Sequence, residues 1–175
     1  MNKKLEIKLR QLEGSRLQLL NELSKIPITK LNTSPAQGKW SVAQVIYHLN
    51  KAESLSLVYI GKKMHDVNNL KKTGFIEWLK LLIVKIAFWS PLKFKAPVNV
   101  LGDMPENVDY TDIVAQWNLT RNNLQQFLEK MPEELLSKNV FKQPAAGRLN
   151  IYQMVDFMQV HFNRHCKQIN ALTKS

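Results

Sequence analysis

Cysteine is almost absent from this chain. Cys166 stands alone, so no disulfide can form within the chain, and a single thiol fits a reducing compartment. Acidic residues are few, 14 Asp and Glu against 25 Lys and Arg, for a net charge of +11. Arginine is scarcer still, since 20 of the 25 cations are lysine. Base-edge readers and bidentate phosphate clamps favour arginine's planar fork, so specific nucleic-acid binding is not expected, while loose attraction to polyanions or anionic lipid stays open. Long apolar runs are missing too. The most hydrophobic stretch, FIEWLKLLIVKIAFW at 75–89, is broken by Lys80 and Lys85 and followed by Pro91, which leaves too little for a span of about 20 residues. The basic amino-terminal segment has neither the apolar run nor the cleavage site of a signal peptide, and the expected location is cytoplasmic.

With 175 residues and 45% hydrophobic content, the chain is expected to fold as one domain, 1–175, with a substantial core. The charge within it is uneven. Residues 1–100 hold 17 Lys and Arg against 6 Asp and Glu, while residues 101–175 hold 8 of each, so the whole excess lies in the first hundred.

The hydrophobic period is helical almost throughout. Leu5, Leu9, Leu12, Leu19 and Leu23 predict a helix over about 3–25, ended by Pro27 and the Thr33–Gly38 connection. Ser41-Val-Ala-Gln44 has the form of a capping box opening a helix to about residue 68, with an inward stripe of Val45, His48, Ala52, Leu55 and Tyr59. Ser90 to Tyr110 has no period, and a connection of that length usually covers a site or crosses a bundle. A third core helix is predicted over about Thr111–Lys130. The loop QPAAGRLN follows, then a last helix capped by Asn150 and Gln153.

The last helix carries the chemistry. Ile151, Met154, Met158, His161, His165, Ile169 or Gln168, and Leu172 advance by three or four, which places two histidines one turn apart on the predicted buried seam. Imidazoles so spaced can converge on one ion, and His48 is the one other histidine on an inward stripe. The ordinary alternative for each is a core histidine hydrogen-bonded to a carbonyl, and two stacked imidazoles would then need two separate partners. His65, beside Lys62 and Lys63 near a helix end, is expected to be solvated. Cys166 lies about 100° around the helix from His165 and is expected to pack. His161-Phe-Asn-Arg-His165 lacks the glutamate of the H-E-x-x-H peptidase motif, so a proton acceptor would have to come from elsewhere. Glu53 and Asp156 are the candidates for that catalytic role, or for orienting a ligand histidine.

The segments Gly38-Lys-Trp-Ser-Val-Ala-Gln-Val-Ile-Tyr-His-Leu-Asn-Lys-Ala-Glu53, Gly147-Arg-Leu-Asn-Ile-Tyr-Gln153 and His161-Phe-Asn-Arg-His165-Cys-Lys-Gln-Ile169 resemble the DinB-like (DinB/YfiT) superfamily of bacterial metal-binding proteins. The resemblance covers nearly the whole chain in order of elements. It implies an all-α fold, a four-helix bundle running up-down-down-up, with a long crossover that here holds an extra hydrophobic helix. It also implies that His48, His161 and His165 match the family's three metal-binding histidines, with zinc or nickel as the cofactor. Members with assigned reactions are thiol-dependent S-transferases using bacillithiol, mycothiol or glutathione, or related isomerases.

Two functional classes follow. One is a metal-dependent enzyme, an S-transferase or hydrolase, acting on a small molecule with a low-molecular-weight thiol as partner. Lewis-acid activation of a thiol or water at three neutral histidines is the chemistry it would use. The other is a non-catalytic cationic stress or membrane-surface-associated protein with a structural metal or none. For that class Lys71, Lys72, Lys80, Lys85, Lys93 and Lys95 interleave with Phe75, Trp78, Phe88, Trp89 and Phe94, although a helix packed on the bundle with its lysines in water reads the same way. Pairing of two chains through exposed helix faces is open in either class.

Overall fold

In the computed structural model, which describes residues 2–89 and 104–174, each of the four long helices begins on a capping side chain. Asn2 caps α1 (Lys3–Leu23) by accepting from Lys4. Ser41 and Gln44 close the predicted reciprocal box on α3 (Val42–Lys63), and Asp109 accepts from Thr111 and Asp112 at the start of α5 (Tyr110–Glu129). At α6 (Ile151–Lys174), Asn150 and Gln153 exchange backbone-to-side-chain bonds of 2.9 and 3.1 Å. Each such cap contributes about 1 kcal/mol and fixes where its helix enters the bundle. The one-turn α2 (Ile28–Asn32) and α4 (Phe75–Trp89) complete the described helices.

Side-chain pairs between helices define their directions. Along α1 and α6, Lys8 meets Asp156 and Ser15 meets Gln159, so these helices run parallel. Arg16 donates to Asn118 at 2.6 Å while Glu13 faces Arg121 at 3.8 Å, which sets α5 antiparallel to α1. Gln44 reaches the carbonyls of Pro105 and Glu106, and Glu53 reaches Trp117 and Arg121, so α3 and α5 run parallel. The order is therefore up-down-down-up, the all-α four-helix bundle implied by the family resemblance. Parallel neighbours α3 and α5 cannot be joined by a short turn, and the crossover between them carries α4 against α6. Most of the aperiodic 90–110 connection, with Lys93, Phe94 and Lys95, lies outside the described residues, as does the side chain of Trp89.

Several local expectations are corrected. The α3 stripe holds at Val45 and His48, both buried, but fails further along: Leu55 is 43% exposed and Ala52 and Tyr59 are half-buried, whereas Leu49, Glu53 and Ile60 continue the buried seam on the neighbouring face. A glutamate in the seam hid it from a count of apolar residues. On α6 the seam runs through Met154, Met158, Phe162 and Ile169, and the two histidines flank it half-buried rather than filling it. The predicted second helix to residue 68 ends at Lys63 and tightens into a 3₁₀ segment, Met64–Asn69. QPAAGRLN is partly a hairpin, β1 (Phe141–Gln143) with β2 (Gly147–Leu149), turned at Gly147 with φ 81°. Three-residue strands are too short to show a period.

Candidate metal centre

His48 lies on the edge of the α3 seam that faces α6, and this edge position brings it to the two histidines of the last helix. Its Nε2 is 3.1 Å from Nε2 of His161, which is 3.2 Å from Nε2 of His165. One ligand atom from each of the three lies within 4.8 Å of the other two. Nitrogens about 2.0–2.1 Å from one ion would be separated by about 3.3 Å in tetrahedral and about 2.9 Å in octahedral geometry, so the two closest pairs fit a common ion.

The donor set is chemically suited as well. Burial pushes the His48 imidazolium down to about 4, with the nearby His165 adding to the shift. Burial and the neighbouring His165, His48 and Arg164 hold His161 well below its ordinary value. Burial lowers His165 too, partly opposed by Gln168. All three are neutral at pH 7 and offer lone pairs. His165 Nδ1 lies 2.9 Å from Gln168 Oε1, and a carbonyl oxygen can only accept, so the ring donates there and its Nε2 faces the cluster unprotonated. His48 Nδ1 is buried without a hydrogen-bond partner among the described residues.

Aromatic rings wall the cluster. Trp40 packs at 5.3 Å from the His48 ring, and Phe157 stacks on His161 at 5.8 Å. Phe88, at the end of α4, lies 6.1 Å from His161 with Arg164 over its face. His48 is 5% exposed and the other two are half-buried, so the cluster is anchored in the core and open on one side.

The two carboxylates considered for proton transfer are drawn elsewhere. Glu53, 3% exposed, accepts from Trp117 Nε1 at 2.8 Å and from Arg121 Nε and Nη2 at 2.6 and 2.7 Å. Asp156 pairs with Lys8 and with Lys85. Neither makes a hydrogen bond to an imidazole among the described residues. His65 is exposed, as expected. Cys166 packs with the core while burial and Glu22 push its thiol up to about 12, so it supplies no thiolate near neutral pH. Spacing gives Gln168 only as an alternative to Ile169 on the seam and does not foresee its hydrogen bond to His165, three residues back on the same helical face.

The depressed histidines make the metal-free fold acid-sensitive. The unfolded chain takes up a proton on His48 near pH 6.5, the folded chain near 4, so the stabilisation is complete above 6.5 and is lost as pH falls to about 4. Its size is about 3 kcal/mol. Thermal melts of chelator-treated protein across that window should fall less steeply for His48→Gln than for the parent chain. Equal slopes would contradict the assignment.

The chain resembles YuaE, an uncharacterised protein of Bacillus subtilis (strain 168), at 23% identity over 158 residues, covering 90% of this chain and 92% of that one. Among solved structures, YfiT of Bacillus subtilis, described as a probable metal-dependent hydrolase with an unusual four-helix bundle topology, superimposes with a TM-score of 0.62 at 15% identity, covering 99% of this chain and 89% of that one. A conserved protein of Enterococcus faecalis gives the same TM-score at 13% identity, covering 99% and 97%. The DinB superfamily model matches residues 11–169, and the chain belongs to the DinB superfamily.

Proposed function

We propose that this protein is a divalent-metal enzyme in which His48, His161 and His165 hold the ion, and that it transfers an external low-molecular-weight thiol to a small electrophile. The observation that carries this reading is the convergence of three neutral imidazoles with no carboxylate hydrogen-bonded to them among the described residues. Zinc or nickel suits such a donor set. When bound, the ion supplies Lewis acidity that lowers the pKa of a coordinating thiol or water.

The surroundings favour a thiol over water. At such an ion a coordinated thiol would be deprotonated outright whereas a bound water would titrate at about pH 7, so a site without a nearby base is better matched to the thiol. Cys166 cannot serve, because its buried thiol stays protonated, and the nucleophile must enter from solution. Gln168 keeps the His165 ring turned toward the ion, and Phe88, Phe157 and Trp40 restrict water around the three rings. Arg164 adds a cation beside the cluster that suits a thiol bearing carboxylates.

Hydrolysis is the second reading, supported by the description of YfiT as a probable metal-dependent hydrolase. The two separate in one assay. Protein loaded with zinc or nickel is given bacillithiol or glutathione with an aryl chloride, and in parallel a nitrophenyl ester without thiol. Metal-dependent thiol consumption, abolished by chelator, is expected. Ester cleavage that needs metal but no thiol would replace transfer with hydrolysis.

A further inference from the structure

The helix α4 is inverted relative to an ordinary surface helix. Leu81 and Val84 are buried, and Phe88 packs beside them against α6. On the opposite side Phe75, Ile76, Trp78, Leu79, Leu82, Ile83 and Ile86 are 38–73% exposed. At 100° per residue they fill an outward arc of about 160° with no charge inside it. Lys80 lies on one border of that arc; Lys85 lies on the other and pairs with Asp156. Scattered apolar residues on a surface need no explanation, but a contiguous outward face does.

The charge around this face indicates what covers it. Lys71 and Lys72 are exposed immediately before the helix. Lys72 sits opposite Lys138 in an antiparallel bridge, and the Asn139 amide donates to the Lys71 carbonyl at 2.8 Å. Like charges placed directly opposite each other destabilise a pair, so this cluster costs the free protein stability that an anionic partner would return. A second copy of the chain would bring lysines against lysines. An anionic bilayer complements both features, apolar side chains entering the acyl boundary and lysines meeting headgroups. No described helix is long and apolar enough to cross the membrane.

We propose that α4 docks this protein on anionic lipid surfaces, with its outward apolar face in the interface and Lys71, Lys72 and Lys80 at the headgroups. This docking is independent of the metal chemistry, although Phe88, on the inner side of α4, ends beside His161.

The test is co-sedimentation of the full chain with vesicles of phosphatidylcholine containing phosphatidylglycerol, against phosphatidylcholine alone, at low and high salt. Binding should be at least tenfold tighter to the anionic vesicles and weaken with salt. The exposed double variant Ile83→Glu/Ile86→Glu should lose at least tenfold with an unchanged thermal melt. Lys71→Glu/Lys72→Glu should lose more, because each lysine near such a surface contributes about fivefold. A blue shift in tryptophan emission on binding should be smaller in Trp78→Phe. No low-salt binding would overturn the proposal. So would parental binding by the isoleucine variant, or a dimer in solution that this variant dissociates while vesicles are ignored.

Discussion

Replacing His161 with alanine is expected to abolish metal retention while leaving the fold intact. Its Nε2 lies within 3.2 Å of both other ligand nitrogens, so its loss leaves His48 and His165 as a two-ligand remnant from different helices. Removing a group that merely supports a ligand costs roughly 10–100-fold in affinity, and removing the ligand itself should cost more. Elemental analysis of the purified proteins and calorimetric titration with zinc or nickel measure this directly. Thermal melts add a second reading: an ion at a hundred times its dissociation constant should stabilise the parent chain by about 2.7 kcal/mol and His161→Ala by almost nothing. In the metal-free state the two should melt within a few degrees of each other, since His161 flanks the core seam rather than filling it. Equal metal content in the two would remove the site.

The trio was legible in the sequence because helical spacing puts His161 and His165 one turn apart and His48 is the one other histidine on an inward stripe, a set that the resemblance also implied. What spacing alone misjudged was depth. Apolar periodicity placed all three histidines on core stripes, and His48 is buried as expected, but His161 and His165 are half-buried because the seam of α6 runs about one residue to the side, through Phe162 and Ile169. That offset has a functional consequence, because a histidine at the seam's edge can keep a coordination position open while one at its centre cannot. Helix starts were readable from Ser41, Gln44, Asn150 and Gln153, whose bonds are local. The partners of Glu53 and Asp156 were not readable, because they depend on residues 64 to 148 positions away that only the packed bundle brings near. The apolar 75–89 stretch was recognised as a helix, but which of its faces meets the core depends on where the crossover lies.

Replacing Glu53 should be the most destabilising single change in the polar interior, and it should leave metal binding alone. Arg121, 6% exposed, donates to the Glu53 carboxylate from Nε and Nη2, and Trp117 donates its indole N–H to the same group. Arg16 and Arg121 lie at 5.4 and 5.6 Å from the Trp117 ring, with Glu13 contacting both arginines. Two buried guanidiniums are thus held around one indole by two carboxylates, and Glu53 is the buried one. Glu53→Ala leaves Arg121 only the longer 3.8 Å contact to Glu13 and strands the indole N–H, a loss of about 3–5 kcal/mol. For a chain of this size that lowers the melting temperature by roughly 6–20 °C. Asp156→Asn is the contrast: its carboxylate is 28% exposed and its lysine pairs lie at the surface, so the loss should be about 0–1 kcal/mol. Glu53→Gln, which keeps a carbonyl acceptor, should fall between and is the variant to assay for metal. Full metal content with a lowered melt would assign Glu53 to the bundle's interior. Metal lost at an unchanged melt would instead tie this carboxylate to the histidines, against the geometry described above.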